Sequence, residues 1–270
     1  MKLKLWQVDA FAAKPLEGNP AAIVPLEEFL EDDLMQKIAN ENNLAETAYF
    51  VRRGAGRYDL RWFTPASEVE LCGHATLASA WLIFDRLEPE AKVLDFQTRS
   101  GTLSVTRGRD GVHSMSLPAD PVAPFAARDG FAREVAGALG TDRPEEIFKG
   151  RYLMAVWPDA RSVRAIAGAG AIEPVLAGVG VWGLIATAPG DSGPDFVSRF
   201  FAPAKGVPED SVTGSAHCAL TPFWSKRLGR KTLRARQISP RGGDLVCTDD
   251  GERTILAGPC ALYLEGEITV

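Results

Sequence analysis

The sequence contains no long uninterrupted apolar run and only four cysteines in 270 residues. A membrane-spanning helix needs about 20 consecutive apolar residues, so we expect no membrane partner. Residues 1–6 alternate like a strand and lack the apolar core of a secretory signal. The cysteines lie far apart in the sequence, which favours reduced thiols and a cytoplasmic protein over a disulfide framework.

An excess of positive charge is also absent, because 30 Lys and Arg residues are outnumbered by 35 Asp and Glu residues. The formal net charge of -5 argues against nucleic acid as a partner. No phosphate-loop lysine motif occurs. A G-x-G-x-x-G pattern at 178–183 leads into strand-like residues rather than the helix that a dinucleotide site needs. We therefore expect no cofactor.

A repeated pattern divides the chain into two similar halves. Residues 61–66 read Arg-Trp-Phe-Thr-Pro-Ala and precede the glycine turn at 70–76. Residues 199–204 read Arg-Phe-Phe-Ala-Pro-Ala and precede a second glycine turn at 210–216. We predict that the two turns face each other across a cleft where chemistry occurs.

The repeat predicts two domains with one fold. The first is expected at 1–118 and the second at 119–270, with the last strand, about 261–270, able to pair with the first domain. Periodicity predicts the same order in both halves, namely strands, a central helix and a meander of strands. Helices are predicted at 31–42, 74–87, 131–139, 159–167 and 216–228. Strands are predicted at 3–11, 21–24, 58–63, 93–96, 102–106, 113–117, 183–188, 196–201, 232–238, 243–247, 254–256 and 261–268, with a loop passing into a strand at 43–51 and strands near 147–156.

The central helices at 74–87 and 216–228 are apolar on most faces and must be covered on all sides. The fold class is therefore α+β, with each half a central helix wrapped by a curled, mainly antiparallel sheet.

Glu46 is the first candidate for chemistry, because it is an acid inside an otherwise apolar stretch of small residues at 44–50. A carboxylate withdrawn from water has a raised pKa, which suits proton transfer near neutral pH. The alternative is an exposed glutamate at the end of a strand. The second half has no acid at the matching position, so the repeat does not decide between the two interpretations.

The turns Gly73-His74 and Gly214-Ser215 are the next candidates. Glycine there permits a positive φ and close approach of the backbone, and free N–H groups at a helix start attract a carboxylate. Two such turns would bind an acidic small molecule and stabilise an enolate-like intermediate. The alternative is two ordinary helix starts, with Ser215 as a cap.

Asp210 precedes Gly214 by four residues, in a predicted loop, and can orient a histidine or carry a proton. A solvated loop acid is the other interpretation. Cys72 and Thr213 hold matching positions before the two glycines. Paired cysteines there could act as a two-base racemase, but threonine cannot serve as the second base, so a buried, inert Cys72 is expected.

A metal site is not expected. Cys72 and His74, with His217 and Cys218, supply four soft ligands, but their spacing differs from zinc patterns, in which paired ligands are two to four residues apart.

Together these residues resemble the PhzF (phenazine biosynthesis-like) family over nearly the whole chain. The resemblance rests on six blocks that occur in the right order: Gln7-Val8-Asp9-Ala10-Phe11, Gly18-Asn19-Pro20-Ala21, Asn43-Leu44-Ala45-Glu46-Thr47, Arg61-Trp62-Phe63-Thr64-Pro65, Glu70-Leu71-Cys72-Gly73-His74-Ala75-Thr76-Leu77, and Glu209-Asp210 with Thr213-Gly214-Ser215-Ala216. One departure is Ser211, where the family often carries proline.

The resemblance implies a diaminopimelate-epimerase-like fold and a cofactor-free isomerase, in a family with many dimers. Glu46 matches the glutamate that moves a proton in the phenazine enzyme, and His74, Asp210 and Ser215 match supporting polar residues. Gly73 and Gly214 match the glycines at the helix starts. Further residues expected to contact the substrate are Asn19, Cys72, Thr213 and Ala216.

Three functions remain open at this point. The first is a cofactor-independent isomerase of a small carboxylic acid, in which Glu46 is the general acid and base. The second is a racemase or dehydratase of the proline-racemase type that uses Cys72 with Thr213. The third is a non-catalytic module that binds a small molecule.

Overall fold

The computed structural model describes residues 1–270, and the chain divides into two compact units. Unit 1 consists of Met1–Leu117 and Ile255–Val270, and unit 2 consists of Pro118–Thr254. None of the helices is long and apolar enough to cross a membrane.

Unit 1 contains two helices and most of the N-terminal strands. Its helices are α1 (Asp32–Asn42) and α2 (Gly73–Leu82), and α2 continues into a π-helical turn at Ile83–Leu87. Its strands are β1 (Lys2–Ala10), β2 (Asn19–Leu26), β3 (Glu46–Gly54), β4 (Arg57–Phe63), β5 (Glu68–Val69), β6 (Val93–Thr98), β7 (Gly101–Thr106) and β8 (Val112–Pro118), with a 3-10 turn at Arg109–Gly111.

The sheet of unit 1 is mainly antiparallel. Antiparallel pairs join β1 to β2, β3 to β4, β4 to β5, β6 to β7 and β7 to β8. Two parallel pairs interrupt this pattern, β2 with β3 and β4 with β6. Each follows a connection that contains a helix, as parallel neighbours require.

Helix α2 is the buried centre of unit 1. Its residues from His74 to Ala80 are all buried, and small side chains let β1, β2 and β3 pack closely on it. The buried hydroxyls are satisfied within the helix, since Thr76 donates to the Cys72 carbonyl (2.6 Å) and Ser79 to the Ala75 carbonyl (2.8 Å). The predicted central helix is therefore confirmed.

Unit 2 contains four helices and eight further strands, while the last strand of the chain belongs almost entirely to unit 1. Its helices are α3 (Phe131–Leu139), α4 (Ala160–Arg164), α5 (Glu173–Gly178) and α6 (Gly214–Leu228). Its strands are β9 (Ala123–Pro124), β10 (Glu146–Lys149), β11 (Leu153–Val156), β12 (Leu184–Pro189), β13 (Phe196–Ala202), β14 (Val207–Asp210), β15 (Thr232–Gln237) and β16 (Gly243–Asp250), with a 3-10 turn at Pro203–Lys205.

The pairings of unit 2 follow the same order as those of unit 1. A parallel pair of β11 and β12 is followed by antiparallel β12–β13 and β13–β14, parallel β13–β15 and antiparallel β15–β16. The corresponding run in unit 1 is β2–β3, β3–β4, β4–β5, β4–β6 and β6–β7.

Helix α6 is the buried centre of unit 2 and contains Pro222. Proline lacks the N–H that would bond to the carbonyl four residues earlier, which belongs to Cys218. That carbonyl instead accepts from the Asp120 N–H at 3.0 Å. The segment that follows β8 thereby supplies the hydrogen bond that the Cys218 carbonyl lacks within the helix.

The repeated arginine forms the same ion pair in each unit. Arg61 on β4 holds Glu68 through two bonds of 2.8 Å, and Arg199 on β13 holds Glu209 through two bonds of 2.7 Å. Such bidentate pairs are strong and directional. They fix the short strand that leads into each central helix.

Three predicted boundaries were wrong. The strands predicted at 254–256 and 261–268 are one strand, β17 (Arg253–Thr269), which pairs with β1. The helix predicted at 74–87 is α-helical only to Leu82. The predicted helix at 159–167 is the short α4, and the sequence did not indicate α5.

Candidate active site

The position of Glu46 follows from how α1 ends. Asn43 takes up the left-handed conformation (φ 49°) and its N–H bonds to the Ala39 carbonyl, which ends the helix. The chain then enters β3 at Glu46 itself. In the parallel register of β2 with β3, Ala21 lies opposite Glu46, so β3 begins beside the first residues of β2, which starts at Asn19.

His74 lies between three polar groups at the start of α2. Its Nδ1 is 3.2 Å from the Asn19 Nδ2 and 3.5 Å from the Cys72 Sγ, and its Nε2 is 3.1 Å from the Glu46 Oε2. The side chain of His74 is 7% exposed and that of Glu46 is 17% exposed. An acid and an imidazole are therefore held together in a largely dry setting.

The contact between His74 and Glu46 is close but poorly aligned. Although Nε2 and Oε2 are 3.1 Å apart, neither of these buried atoms has a hydrogen-bond partner of good geometry in the protein. Most buried polar atoms have a hydrogen-bond partner, so two facing atoms without one need an explanation. Both atoms retain the capacity to bond to a ligand.

The charges of this group follow from its surroundings. Burial alone would lower the pKa of His74, but the neighbouring Cys72 and Glu46 raise it well above its usual value. Burial, together with the charge of Glu46, raises the pKa of Cys72 to about 11. Cys72 is therefore a neutral thiol at pH 7, and the negative charge that favours the imidazolium of His74 comes from Glu46.

In unit 2 a hydrogen-bond chain fixes the start of α6. The Thr213 hydroxyl donates to the Asp210 Oδ2 at 2.6 Å. Gln237, fully buried, accepts from the Thr213 N–H at 2.8 Å and donates to the Asp210 carbonyl at 2.6 Å. The Gln237 amide therefore acts as a clamp on both residues.

Ser215 is held by a tyrosine in the same unit. The Tyr152 hydroxyl donates to the Ser215 Oγ at 3.0 Å, so the hydroxyl hydrogen of Ser215 has to point to a different acceptor. The Tyr152 ring is 1% exposed and packs edge-on against Trp182 and Phe200, with ring centroids 5.0 and 4.9 Å away. A side chain at Gly183 would collide with Tyr152 and Phe200, at 2.9 and 2.8 Å.

The sequence predictions for the helix starts need three corrections. Gly73 and Gly214 are the first helical residues of α2 and α6 and do not have a positive φ. Ser215 does not cap α6, since the N-cap is Thr213 and no side chain caps it. Asp210 is the last residue of β14 rather than part of a loop.

Each unit brings its own predicted residues together. Unit 1 gathers Asn19, Glu46, Cys72 and His74 beside Gly73. Unit 2 gathers the others at the start of α6, namely Asp210, Thr213, Gly214, Ser215 and Ala216.

Sequence reasoning missed Gln237 and Tyr152. Gln237 has a detectable signal, because it continues the inward alternation of Leu233 and Ala235 on β15, where a polar residue needs buried partners. Tyr152 has no comparable signal, because it lies in an apolar run that reads as core.

Comparisons with known proteins agree over the whole chain. The sequence profile of the PhzC-PhzF family, described as phenazine biosynthesis-like protein, matches residues 8–266. An uncharacterised isomerase of Pseudomonas aeruginosa is 46% identical over 268 residues, covering 99% of each chain. The crystal structure of a PhzF-family protein from Enterococcus faecalis is 41% identical, covers 100% of both chains and superposes with a TM-score of 0.92.

A more distant structure establishes the fold alone. A predicted epimerase of Pseudomonas aeruginosa is 19% identical, with a TM-score of 0.75 and 99% of each chain covered. The predicted epimerase-like α+β fold is therefore confirmed. The chain belongs to the phenazine biosynthesis-like PhzC-PhzF family, and it is an enzyme of the isomerase type.

Proposed function

We propose that the protein is a cofactor-independent isomerase that moves a proton on a small carboxylic acid, with Glu46 as general acid and base. The observation that carries the proposal is the buried pair of Glu46 and His74, whose facing atoms are 3.1 Å apart and lack other partners in the protein. A general acid and base works with a positioned partner that stabilises its carboxylate and the charge that develops on the substrate. The imidazolium of His74 meets that need.

In the proposed reaction, Glu46 takes a proton from a carbon next to the substrate's unsaturated system. The C–H electrons move into the conjugated system, and the negative charge collects on an oxygen, where His74 and the N–H groups at the start of α2 stabilise it. Glu46, now a carboxylic acid, returns the proton to a different carbon. Its carboxylate is restored and no oxidant or reductant is consumed.

The start of α6 is proposed to hold the substrate carboxylate. The first turn has no side-chain cap, so its N–H groups remain available to an anion. Ser215, whose oxygen already accepts from Tyr152, donates its own hydrogen to the ligand. Asp210, fixed by Thr213, assists proton traffic at this end.

The test is a screen of small aromatic and amino acids in deuterated water, read by deuterium incorporation. With a substrate identified, Glu46→Gln should lower proton exchange by about 10²–10⁴-fold while leaving ligand affinity largely intact. Glu41→Gln is the matched control, because Glu41 is an exposed glutamate five residues earlier on α1. Full activity in Glu46→Gln would show that Glu46 is not the base.

The competing racemase uses Cys72 and Thr213 as two bases. Burial raises the pKa of Cys72 to about 11, and the Thr213 hydroxyl already donates to Asp210. Neither group is a ready proton carrier at pH 7. Rapid inactivation by iodoacetamide together with survival of the Glu46→Gln variant would instead support the racemase.

Three further properties belong to the same proposal. We expect the two units to derive from one duplicated ancestor, since their strand pairings follow one order. We expect a homodimer, which sedimentation equilibrium would detect. All four cysteines are free thiols, as a reducing cytoplasm would maintain them.

A further inference from the structure

Three side chains of the candidate site also form a set of metal ligands. Glu46, Cys72 and His74 each present one ligand atom, and these atoms all lie within 4.8 Å of one another. We propose that this group binds one borderline-soft divalent cation, Zn²⁺ being the best match, and that the bound cation blocks the enzyme.

The distance between the Glu46 and His74 ligand atoms suits a small tetrahedral ion. Zinc bonds of about 2.3 Å to sulfur and about 2.0–2.1 Å to nitrogen and oxygen imply ligand separations of about 3.3 Å for nitrogen to oxygen and about 3.6 Å for sulfur to nitrogen. The Glu46 Oε2 is 3.1 Å from Nε2 of His74, close to the separation of two ligands on one ion. The Cys72 Sγ is nearest the other ring nitrogen, 3.5 Å from Nδ1, and the three ligand atoms lie within 4.8 Å of one another. In the proposed site the Cys72 side chain turns towards Nε2 as the ion binds.

An independent observation identifies the coordinating nitrogen. The Asn19 amide lies 3.2 Å from Nδ1, and with its oxygen turned to this side it accepts the Nδ1–H of a metal-bound His74, whereas Nε2 is buried and has no hydrogen-bond partner in the protein. The Oε2 atom of Glu46 is in the same condition. Metal-binding histidines characteristically have their second nitrogen held by such a neighbour, because this fixes the orientation of the ring.

The donor atoms select the class of cation. A thiolate, an imidazole and one carboxylate suit Zn²⁺ or Co²⁺, whereas Mg²⁺ and Ca²⁺ require oxygen ligands. Cys72 must lose its S–H proton as the sulfur–metal bond forms, and the imidazolium of His74 must lose its Nε2–H proton before that nitrogen can bind the ion, so each bound ion releases two protons to solvent. The metal keeps its charge and no electron is transferred.

Inhibition rests on the proposed function, but binding does not. If Glu46 is the base, a cation on its Oε2 removes the lone pair that accepts the substrate proton. Binding itself depends only on the three side chains. Failure of the metal site and failure of the isomerase proposal are therefore distinguishable.

The experiment titrates Co²⁺ into the metal-free full-length protein without substrate and records absorption. We expect one equivalent to bind, with a thiolate-to-cobalt charge-transfer band and the intense visible bands of a tetrahedral ion. Competition with Zn²⁺ should abolish these bands, and calorimetry in two buffers should report two released protons. Cys72→Ser should lose the charge-transfer band and at least tenfold in affinity, given that even outer-shell partners contribute roughly 10–100-fold.

Cys218→Ser is the matched control, because Cys218 is a buried thiol next to His217 in unit 2 and is not part of the ligand set. It should bind Co²⁺ as the unaltered protein does. Glu46→Gln, which keeps the side-chain shape, provides a second loss-of-ligand variant if Cys72→Ser does not fold. Absence of saturable binding, or binding unchanged in both ligand variants, would overturn the proposal.

Discussion

Replacing Gln237 with leucine tests whether the buried amide positions the start of α6. The change keeps the size of the side chain but removes the acceptor of the Thr213 N–H (2.8 Å) and the donor to the Asp210 carbonyl (2.6 Å). An unsatisfied buried polar group costs about 1–3 kcal/mol. Thr213 is buried and Asp210 half-buried, so water can reach the second group and the expected loss is about 2–4 kcal/mol of unfolding free energy.

The measurements are urea unfolding and amide hydrogen exchange, and neither needs a known substrate. Exchange should accelerate at residues 210–216, and kcat/KM for any substrate found should fall by roughly 100-fold, because small misplacements of binding groups are costly. Gln36→Leu is the matched control, since that amide donates to the carbonyls of Thr64 and Pro65 in unit 1 (2.9 and 3.2 Å). A change below about 0.5 kcal/mol with unaltered exchange at 210–216 would refute the clamp.

Three further perturbations test other contacts of unit 2. Tyr152→Phe removes the hydroxyl that orients Ser215, so KM should rise about fivefold, the equivalent of about 1 kcal/mol; an unchanged KM would contradict this role. Arg199→Met leaves the Glu209 carboxylate without its arginine and should lower the free energy of unfolding in urea by about 3 kcal/mol. A loss below about 1 kcal/mol would show that water hydrates the carboxylate in place of the arginine. Burial lowers the pKa of His217 from 6.5 to about 4. The unfolded chain therefore binds the proton first, so stability is full above pH 6.5 and falls by about 3 kcal/mol as the pH drops towards 4. His217→Gln should flatten this part of the stability profile, and an unchanged slope would be the contrary result.

Much of the fold could be predicted because local and global signals agree. The spacing of apolar residues indicates which faces are buried, both in the helices predicted at 74–87 and 216–228 and in the alternating strands. The main error concerned β17, because two strands are predicted at 254–256 and 261–268, on either side of Gly258 and Pro259. The strand continues through Pro259 because proline lacks only the backbone N–H. Its carbonyl still accepts from the Ala12 N–H at 3.1 Å.

The contacts of the site could be predicted only in part. The chemistry of Glu46 and His74 can be inferred from composition and resemblance. Their 3.1 Å contact cannot, because it depends on the register of β2 with β3 and on the packing of α2 against both strands. Such long-range pairings leave no local pattern in the sequence.

The two helix starts share a backbone but differ in chemistry, and this difference bears on the mechanism. The carbonyls of Cys72 and Thr213 each accept an N–H from four residues later at 3.2 Å, so the two residues occupy the same position. A two-base reaction needs a proton carrier at both positions, yet one is a neutral thiol and the other a hydroxyl already committed to Asp210. In the proposed reaction the single carrier is the Glu46 carboxylate, which lies beside His74 and outside the repeat. A reaction built on it takes the proton and returns it through one group, which is the requirement for shifting a proton along a substrate rather than inverting a centre from both sides.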